Sequence, residues 1–178
     1  MTERLGTRPA LRLVQGTGGP AVEWAWFCGH CAAPSPGGEA PPPTARVCNA
    51  CGFGLLLETR QDVVPGSRDA FLVIDSSLLV QAMSRRAERL LAVNEEDMVN
   101  CPVAEVLVPA DAEAQGPTGF AASIVSATLE SDEPKKSFVR PWNTFGVRML
   151  ARIGPCGPPR AALVVLEDPK DRRLRAVD

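Results

Sequence analysis

Residues 70–75, Ala70-Phe-Leu-Val-Ile-Asp75, form a short apolar run that ends in the turn signal Asp75-Ser-Ser. Such a run is typical of a strand, and residues 78–83 follow as the second strand of a hairpin. Ser84 stands where a helix N-cap belongs, because residues 85–92 carry apolar side chains at positions 87, 90 and 91, which is helical spacing. The order strand, strand, helix therefore opens the larger part of the chain.

The pattern from residue 94 to residue 167 predicts further helices followed by strands, and so an α+β fold. Asn94 is suited to cap a second helix, and Pro102 is favourable as the first residue of another. A helix is also predicted over Phe120–Leu129, and strands are predicted at 135–141, 144–153 and 161–167. Residues 154–159, which contain three prolines and two glycines, are predicted to form an exposed hairpin loop that carries Cys156 as an exposed thiol.

Residues 69–168 resemble the PAS domain family. The resemblance is carried by Phe71-Leu-Val-Ile-Asp75, by residues 80–91, by Val93-Asn-Glu-Glu-Asp-Met-Val99, by Pro102-Val-Ala-Glu-Val-Leu107 and by the strand from residue 161 to residue 168. Two positions differ from the usual pattern, with Ser84 in place of Asn and Ala92 in place of Gly. The resemblance implies a five-stranded antiparallel sheet with helices on one face that enclose a pocket. It also implies a sensor, dimerisation or protein-docking role.

A lining for that pocket follows from strand alternation and helix faces. The predicted lining residues are Val73, Val80, Leu91, Val106, Phe120, Ile124, Phe145, Val147, Leu163 and Val165. Because few polar residues project among them, a bound small molecule is expected to be apolar and fatty-acid-sized. A well-packed core without a ligand is equally compatible with these residues.

Four cysteines in the first third of the chain have metal-ligand spacing. Cys28-Gly-His-Cys31 and Cys48-Asn-Ala-Cys51 are two C-x-x-C pairs with 16 residues between them, which is the spacing of a zinc site. Two tight turns that each present two thiolates complete a tetrahedral, closed shell, so the predicted ion is structural Zn²⁺ held by Cys28, Cys31, Cys48 and Cys51. Metal binding also explains how so short a segment folds with little apolar surface to bury.

Residues 24–58 resemble a zinc ribbon, with an aromatic residue, Phe27, before the first knuckle and Gly52 after the second. The side chains expected to pack around the metal are Trp24, Trp26, Phe27, Phe53 and the leucines at 55, 56 and 57. Iron bound by the same thiolates, as in rubredoxin-like sites, stays open. Cys28 and Cys31 as a thiol-disulfide redox pair is a weaker alternative, because the residues after Cys31 are rich in proline and glycine and do not form a helix.

Composition excludes several classes of protein. The chain has 178 residues, a formal charge of −2, one histidine, His30, and no tyrosine, so any mechanism that needs two histidines is excluded. Its longest apolar run, residues 161–166, is far short of the roughly 20 residues of a membrane span. Residues 1–68 hold 6 basic and 5 acidic residues, a charge of +1, and this weak excess does not favour nucleic acid as a partner. No secretion signal is evident, and a cytoplasmic location is expected.

The predicted organisation is an irregular N-terminal segment over 1–23, a zinc ribbon over 24–58, a linker over 59–68, the PAS-like domain over 69–168 and a basic tail over 169–178. The predicted function is a non-catalytic signalling or regulatory protein that binds a protein partner or a small apolar ligand, with a homodimer possible. The alternative is a transcription-associated factor whose ribbon contacts DNA or polymerase.

Overall fold

The computed structural model describes residues 22–110, 119–129 and 133–167. The predicted N-terminal segment up to residue 21 and the basic tail over 169–178 lie outside these residues. Eight strands are present in the described part: β1 Trp24–Cys28, β2 Leu56–Arg60, β3 Ala70–Ile74, β4 Val80–Met83, β5 Leu107–Pro109, β6 Lys135–Pro141, β7 Met149–Gly157 and β8 Ala161–Glu167. The helices are α1 Arg85–Leu91, α2 Glu95–Met98 and α3 Phe120–Leu129, with single 3-10 turns at Pro36–Gly38 and Val103–Glu105.

All strand pairs among the described residues are antiparallel, and they form one continuous sheet. Five strands in the order β4-β3-β8-β7-β6 make its main body, and the short β5 adds to β6. The β1–β2 hairpin joins this sheet along the C-terminal half of β7, where Glu58 pairs with Gly157 and Thr59 with Cys156. The α+β class and the antiparallel sheet agree with the prediction, and the sheet has eight strands instead of five.

Both faces of the main sheet are covered. All five residues of β3 are buried, because alternate side chains point into two different cores. On one face Leu72 and Ile74 pack with the helices, in a core that includes Ala87, Leu91, Phe120 and Ile124. On the other face Phe71 and Val73 pack with Leu163 and Val165 of β8 and with Phe27, Leu57 and Val63 of the N-terminal part. The ribbon, residues 24–58, is therefore a second layer over the sheet.

The first turn of α1 follows the sequence prediction. Ser84 is the N-cap, and its Oγ accepts hydrogen bonds from the backbone N–H of Ala87 and of Phe71. The helix ends at Ala92, whose φ of 54° lies in the left-handed region. This region favours glycine, which accounts for the glycine that the PAS resemblance leads one to expect there.

The prediction of an exposed hairpin loop over 154–159 is wrong for residues 154–157 and is confirmed for 158 and 159, which are exposed in the turn between β7 and β8. β7 continues to Gly157, and Cys156 is buried in the core beneath the ribbon. The strand is longer than its proline content suggests because β2 pairs with its C-terminal half. The Thr59 hydroxyl also donates a hydrogen bond of 2.7 Å to the carbonyl of Pro155. Burial raises the pKa of the Cys156 thiol to about 12, so this thiol is protonated at neutral pH and unreactive.

The predicted linker over 59–68 begins as part of the sheet. Thr59 and Arg60 belong to β2, and Val63 is fully buried. A Cβ added to Gly154 would lie 2.8 Å from Cγ2 of Val63, so the strand approaches this valine as closely as glycine allows. Independent folding of the ribbon and of residues 69–168 stays a prediction. Within the described residues, no helix is long and apolar enough to cross a membrane.

Candidate metal centre and adjoining cleft

The four C-x-x-C cysteines meet at one point. Cys28 is the last residue of β1, Cys31 follows in the turn after it, and Cys48 and Cys51 flank the turn that leads towards β2. Their four Sγ atoms all lie within 4.8 Å of one another. Two of the separations, 3.7 Å from Cys28 to Cys51 and 3.9 Å from Cys31 to Cys48, join one knuckle to the other.

These sulfur separations fit a tetrahedral metal site. A Zn–S bond of about 2.3 Å in a regular tetrahedron places the sulfurs about 3.8 Å apart, close to the observed values. A disulfide requires about 2.05 Å, and all four cysteines are unpaired. The set can hold one metal ion with all four positions filled by thiolates, so the shell is closed and leaves no site for a substrate. Zn²⁺ and iron both accept such a ligand set.

Backbone N–H groups point at the sulfurs, as a thiolate cluster requires. The N–H groups of His30 and Cys31 donate to Sγ of Cys28, and that of Gly54 donates to Sγ of Cys51. The Gly54 N–H is the main reason that the pKa of Cys51 is lowered to about 6, so this sulfur is a thiolate at neutral pH. Burial raises the pKa values of Cys28 and Cys31. A bound cation supplies the charge that keeps these two thiols deprotonated.

Gly54 leaves no room for a side chain. A Cβ at this position would collide with Sγ of Cys28 and would lie 2.7 Å from Cβ of His30. We therefore expect Gly54→Ala to lower metal affinity by at least about tenfold. The added methyl group pushes the two knuckles apart, and it also moves the backbone N–H that donates a hydrogen bond to Sγ of Cys51. Competition with a chromogenic chelator measures the affinity. Gly66→Ala is the matched control, since its Cβ would make only an ordinary contact of 3.5 Å with Asp69. Equal affinity in Gly54→Ala and the parent would contradict this account.

The apolar residues expected around the metal take two different positions. Trp26 and Leu56 pack against the cluster, as predicted. Phe27 and Leu57 point instead into the core shared with the main sheet, because neighbouring strand residues face opposite sides. Phe53 is 68% exposed, and Leu55 and Trp24 are also exposed. Their exposure is a correction to the prediction that all these side chains surround the metal.

His30, between the ligands of the first knuckle, contacts the main domain instead of the metal. Its Nδ1 lies 3.1 Å from Oε2 of Glu95 on α2. The other oxygen of Glu95 accepts the backbone N–H of Met83 at the end of β4, and the N–H of Glu95 donates to Glu88 on α1. The first knuckle is thereby connected to α1, α2 and β4. Nothing in the sequence placed Glu95 next to His30, because the two residues are 65 positions apart.

A cleft of about 920 Å³ lies beside this contact, between the ribbon and the exposed end of the main sheet. Its apolar surface comes from both parts: Phe53, Leu55 and Leu57 belong to the ribbon, and Val73, Ala82 and Ala161 to the sheet. Polar groups surround it, including Gln81, Arg85, Asn94, Glu96 and Arg160. The volume is within the range of small-molecule sites.

The ten predicted pocket residues do not share one cavity. Val80, Leu91, Val106, Phe120 and Ile124 are packed in the core beneath the helices. Val73, Leu163 and Val165 are buried on the opposite face of the sheet, and only Val73 lines the cleft. Phe145 and Val147 are 81% and 37% exposed, which corrects their placement in a lining. Both precede β7, which begins at Met149 instead of the predicted residue 144.

Sequence reasoning missed the ribbon as the second layer and therefore missed the cleft. A signal was present: the β3 and β8 segments, residues 70–74 and 161–166, are continuously apolar. Strands with one solvated face alternate between apolar and polar residues, whereas continuous apolar runs indicate burial on both faces.

Comparisons with known proteins give one similar solved structure to report. No protein-family model matches the chain, and no curated protein matches it. Among solved structures, the chain is similar to the PAS domain of nitrogen regulation protein NR(II) from Vibrio parahaemolyticus, with 15% sequence identity and a TM-score of 0.43. The match covers 60% of this chain and 94% of that chain.

Proposed function

We propose that this chain is a non-catalytic signalling or regulatory protein whose ribbon, held by structural Zn²⁺, forms a ligand site together with a PAS-like sheet. The observation that carries the proposal is the composition of the 920 Å³ cleft, whose apolar walls come from both the ribbon and the sheet. A ligand in this cleft contacts both parts at once, and its binding is therefore coupled to how they pack.

The chemistry of the cleft favours a small apolar molecule with one or two polar groups. Exposed apolar side chains such as Phe53 and Leu55 gain most from being covered. Gln81, Asn94 and the arginines at its rim supply donors that fix orientation. The metal centre supports a structural role because four thiolates leave no open coordination position. On this proposal, the signal that a ligand has bound passes to a protein partner, which binds differently to the chain with an occupied cleft and with an empty one.

A native mass spectrum of the purified chain tests the proposal. We expect one zinc ion and one additional organic mass per chain. Ala82→Trp places a bulky group in the floor of the cleft and is expected to lose the organic mass while keeping the zinc. Leu129→Trp introduces the same side chain at an exposed position outside the cleft and is expected to keep both.

Each failure has a separate meaning. A spectrum with zinc and no organic mass, under conditions that retain weak ligands, would contradict the ligand site and leave the metal assignment standing. A spectrum without any metal would contradict the structural zinc itself. Iron in place of zinc would overturn only the identity of the ion.

A further inference from the structure

A second cleft, of about 400 Å³, lies between the first knuckle and the start of α1. Four arginines line it, Arg68, Arg85, Arg86 and Arg89, together with one carboxylate, Asp69. Four guanidinium groups against one carboxylate give the cleft a formal charge of +3, in a chain whose total charge is −2. Positive charge is thus concentrated at one small concave site.

The arginines of α1 stand where their charges are unfavourable. Arg85 and Arg86 are the first two residues of the helix, where the helix dipole favours acidic side chains. Arg85 and Arg89 are four residues apart on one helix face, and like charges at this spacing repel. The neighbouring α2 follows the ordinary rule and begins with Glu95, Glu96 and Asp97. An anion between the guanidinium groups would relieve the repulsion at α1.

Three of the four guanidinium groups of this cleft are available to a ligand. Arg68, Arg85 and Arg89 are exposed, and within the described residues none of these three donates a hydrogen bond or forms an ion pair. The single carboxylate, Asp69, accepts the backbone N–H of Gly66 at 2.9 Å. His30, which closes one side, is held by Glu95.

We propose that this cleft binds a compact oligoanion that carries two or more phosphate groups. Arginine matches phosphate oxygens with paired N–H donors, and several arginines at one site suit several phosphate groups. A volume near 400 Å³ is at the lower end of small-molecule sites. The aromatic rings at this cleft offer no stacking surface for a nucleobase, because Phe71 is fully buried and His30 is nearly so. The site shares Arg85 and His30 with the apolar cleft, but Arg68, Arg86 and Arg89 line this cleft alone, and the proposal does not depend on a ligand in the apolar cleft.

Calorimetric titration of the full, metal-containing chain with inorganic pyrophosphate tests this proposal. We expect one saturable site that binds pyrophosphate more tightly than orthophosphate and weakens as sodium chloride increases. Arg68→Gln and Arg89→Gln, which alter only this cleft, are each expected to weaken binding about tenfold, and the double variant about a hundredfold. Arg148→Gln removes the same charge from an exposed position that lines neither cleft and is expected to bind like the parent. Metal content measured before and after titration excludes chelation by pyrophosphate.

Three results would overturn the proposal. It is overturned if pyrophosphate shows no saturable binding at low salt, or if the two arginine variants bind as tightly as the parent. Binding of a single-stranded DNA dodecamer that pyrophosphate does not displace would also overturn it, in favour of a nucleic-acid surface. None of these results bears on the zinc or on the apolar ligand, so the failure of this inference is distinct from failure of the proposed function.

Discussion

Replacement of Cys48 by serine is expected to unfold the ribbon while the main sheet stays folded. Cys48 is almost fully buried, and its Sγ is one of the four that meet at the metal centre. Structural zinc contributes on the order of 10 kcal/mol to small domains of this kind, more than the ribbon can replace by packing. Amide hydrogen exchange is the measurement. Protection should disappear from β1 and β2 and persist in β3, β7 and β8.

The same variant should expose the face of the sheet that the ribbon covers. Phe71, Val73, Leu163 and Val165 would lose their cover, and binding of an apolar fluorescent dye should increase. Cys101→Ser is the matched control, because this partly exposed cysteine lies outside the cluster and serine can keep the hydrogen bond to the carbonyl of Asp97. Two results would contradict the expectation. Retained protection in β1 and β2 would mean that the metal does not hold the ribbon, and loss of protection throughout would mean that the chain unfolds as one unit.

Phe71→Ala is expected to lower the free energy of unfolding by about 3–5 kcal/mol, the usual cost of removing a buried phenylalanine. The ring is fully buried between the sheet and the ribbon. It meets Phe27 edge to face, with centroids 5.8 Å apart and an angle of 78°, a geometry that adds to the stability of the contact. The lost stability therefore comes from the interface between the ribbon and the main sheet. Urea denaturation followed by circular dichroism measures the change.

Phe145→Ala provides the control for Phe71→Ala. Its ring is exposed and contacts only the guanidinium group of Arg140 among the ring contacts that the structure describes, so a change within about 0.5 kcal/mol is expected. A loss below about 1 kcal/mol for Phe71→Ala would show that the ribbon does not pack on the sheet as described. Retained metal in this variant would show in addition that the metal centre forms without the interlayer core.

Features set by neighbouring residues were predictable from the sequence. The two C-x-x-C pairs at Cys28 and Cys48 bring two thiolates together within each turn, and the structure joins the two pairs into one cluster. The hairpin, the Ser84 cap and α1 follow from turn residues, capping chemistry and helical spacing over residues 70–92. The antiparallel class of the sheet agrees with the PAS resemblance of the same segment.

Only the tertiary structure decided what covers the second face of the sheet. The continuous apolar runs of β3 and β8 show that both faces are apolar, but they do not specify which distant segment packs on each face. The contact from His30 to Glu95, the burial of Cys156 and the cleft beside them all depend on the ribbon lying on the sheet. Spacing along the chain governs contacts within a few residues. Contacts between distant segments depend on which arrangement buries the most apolar surface, and this is a property of the whole fold.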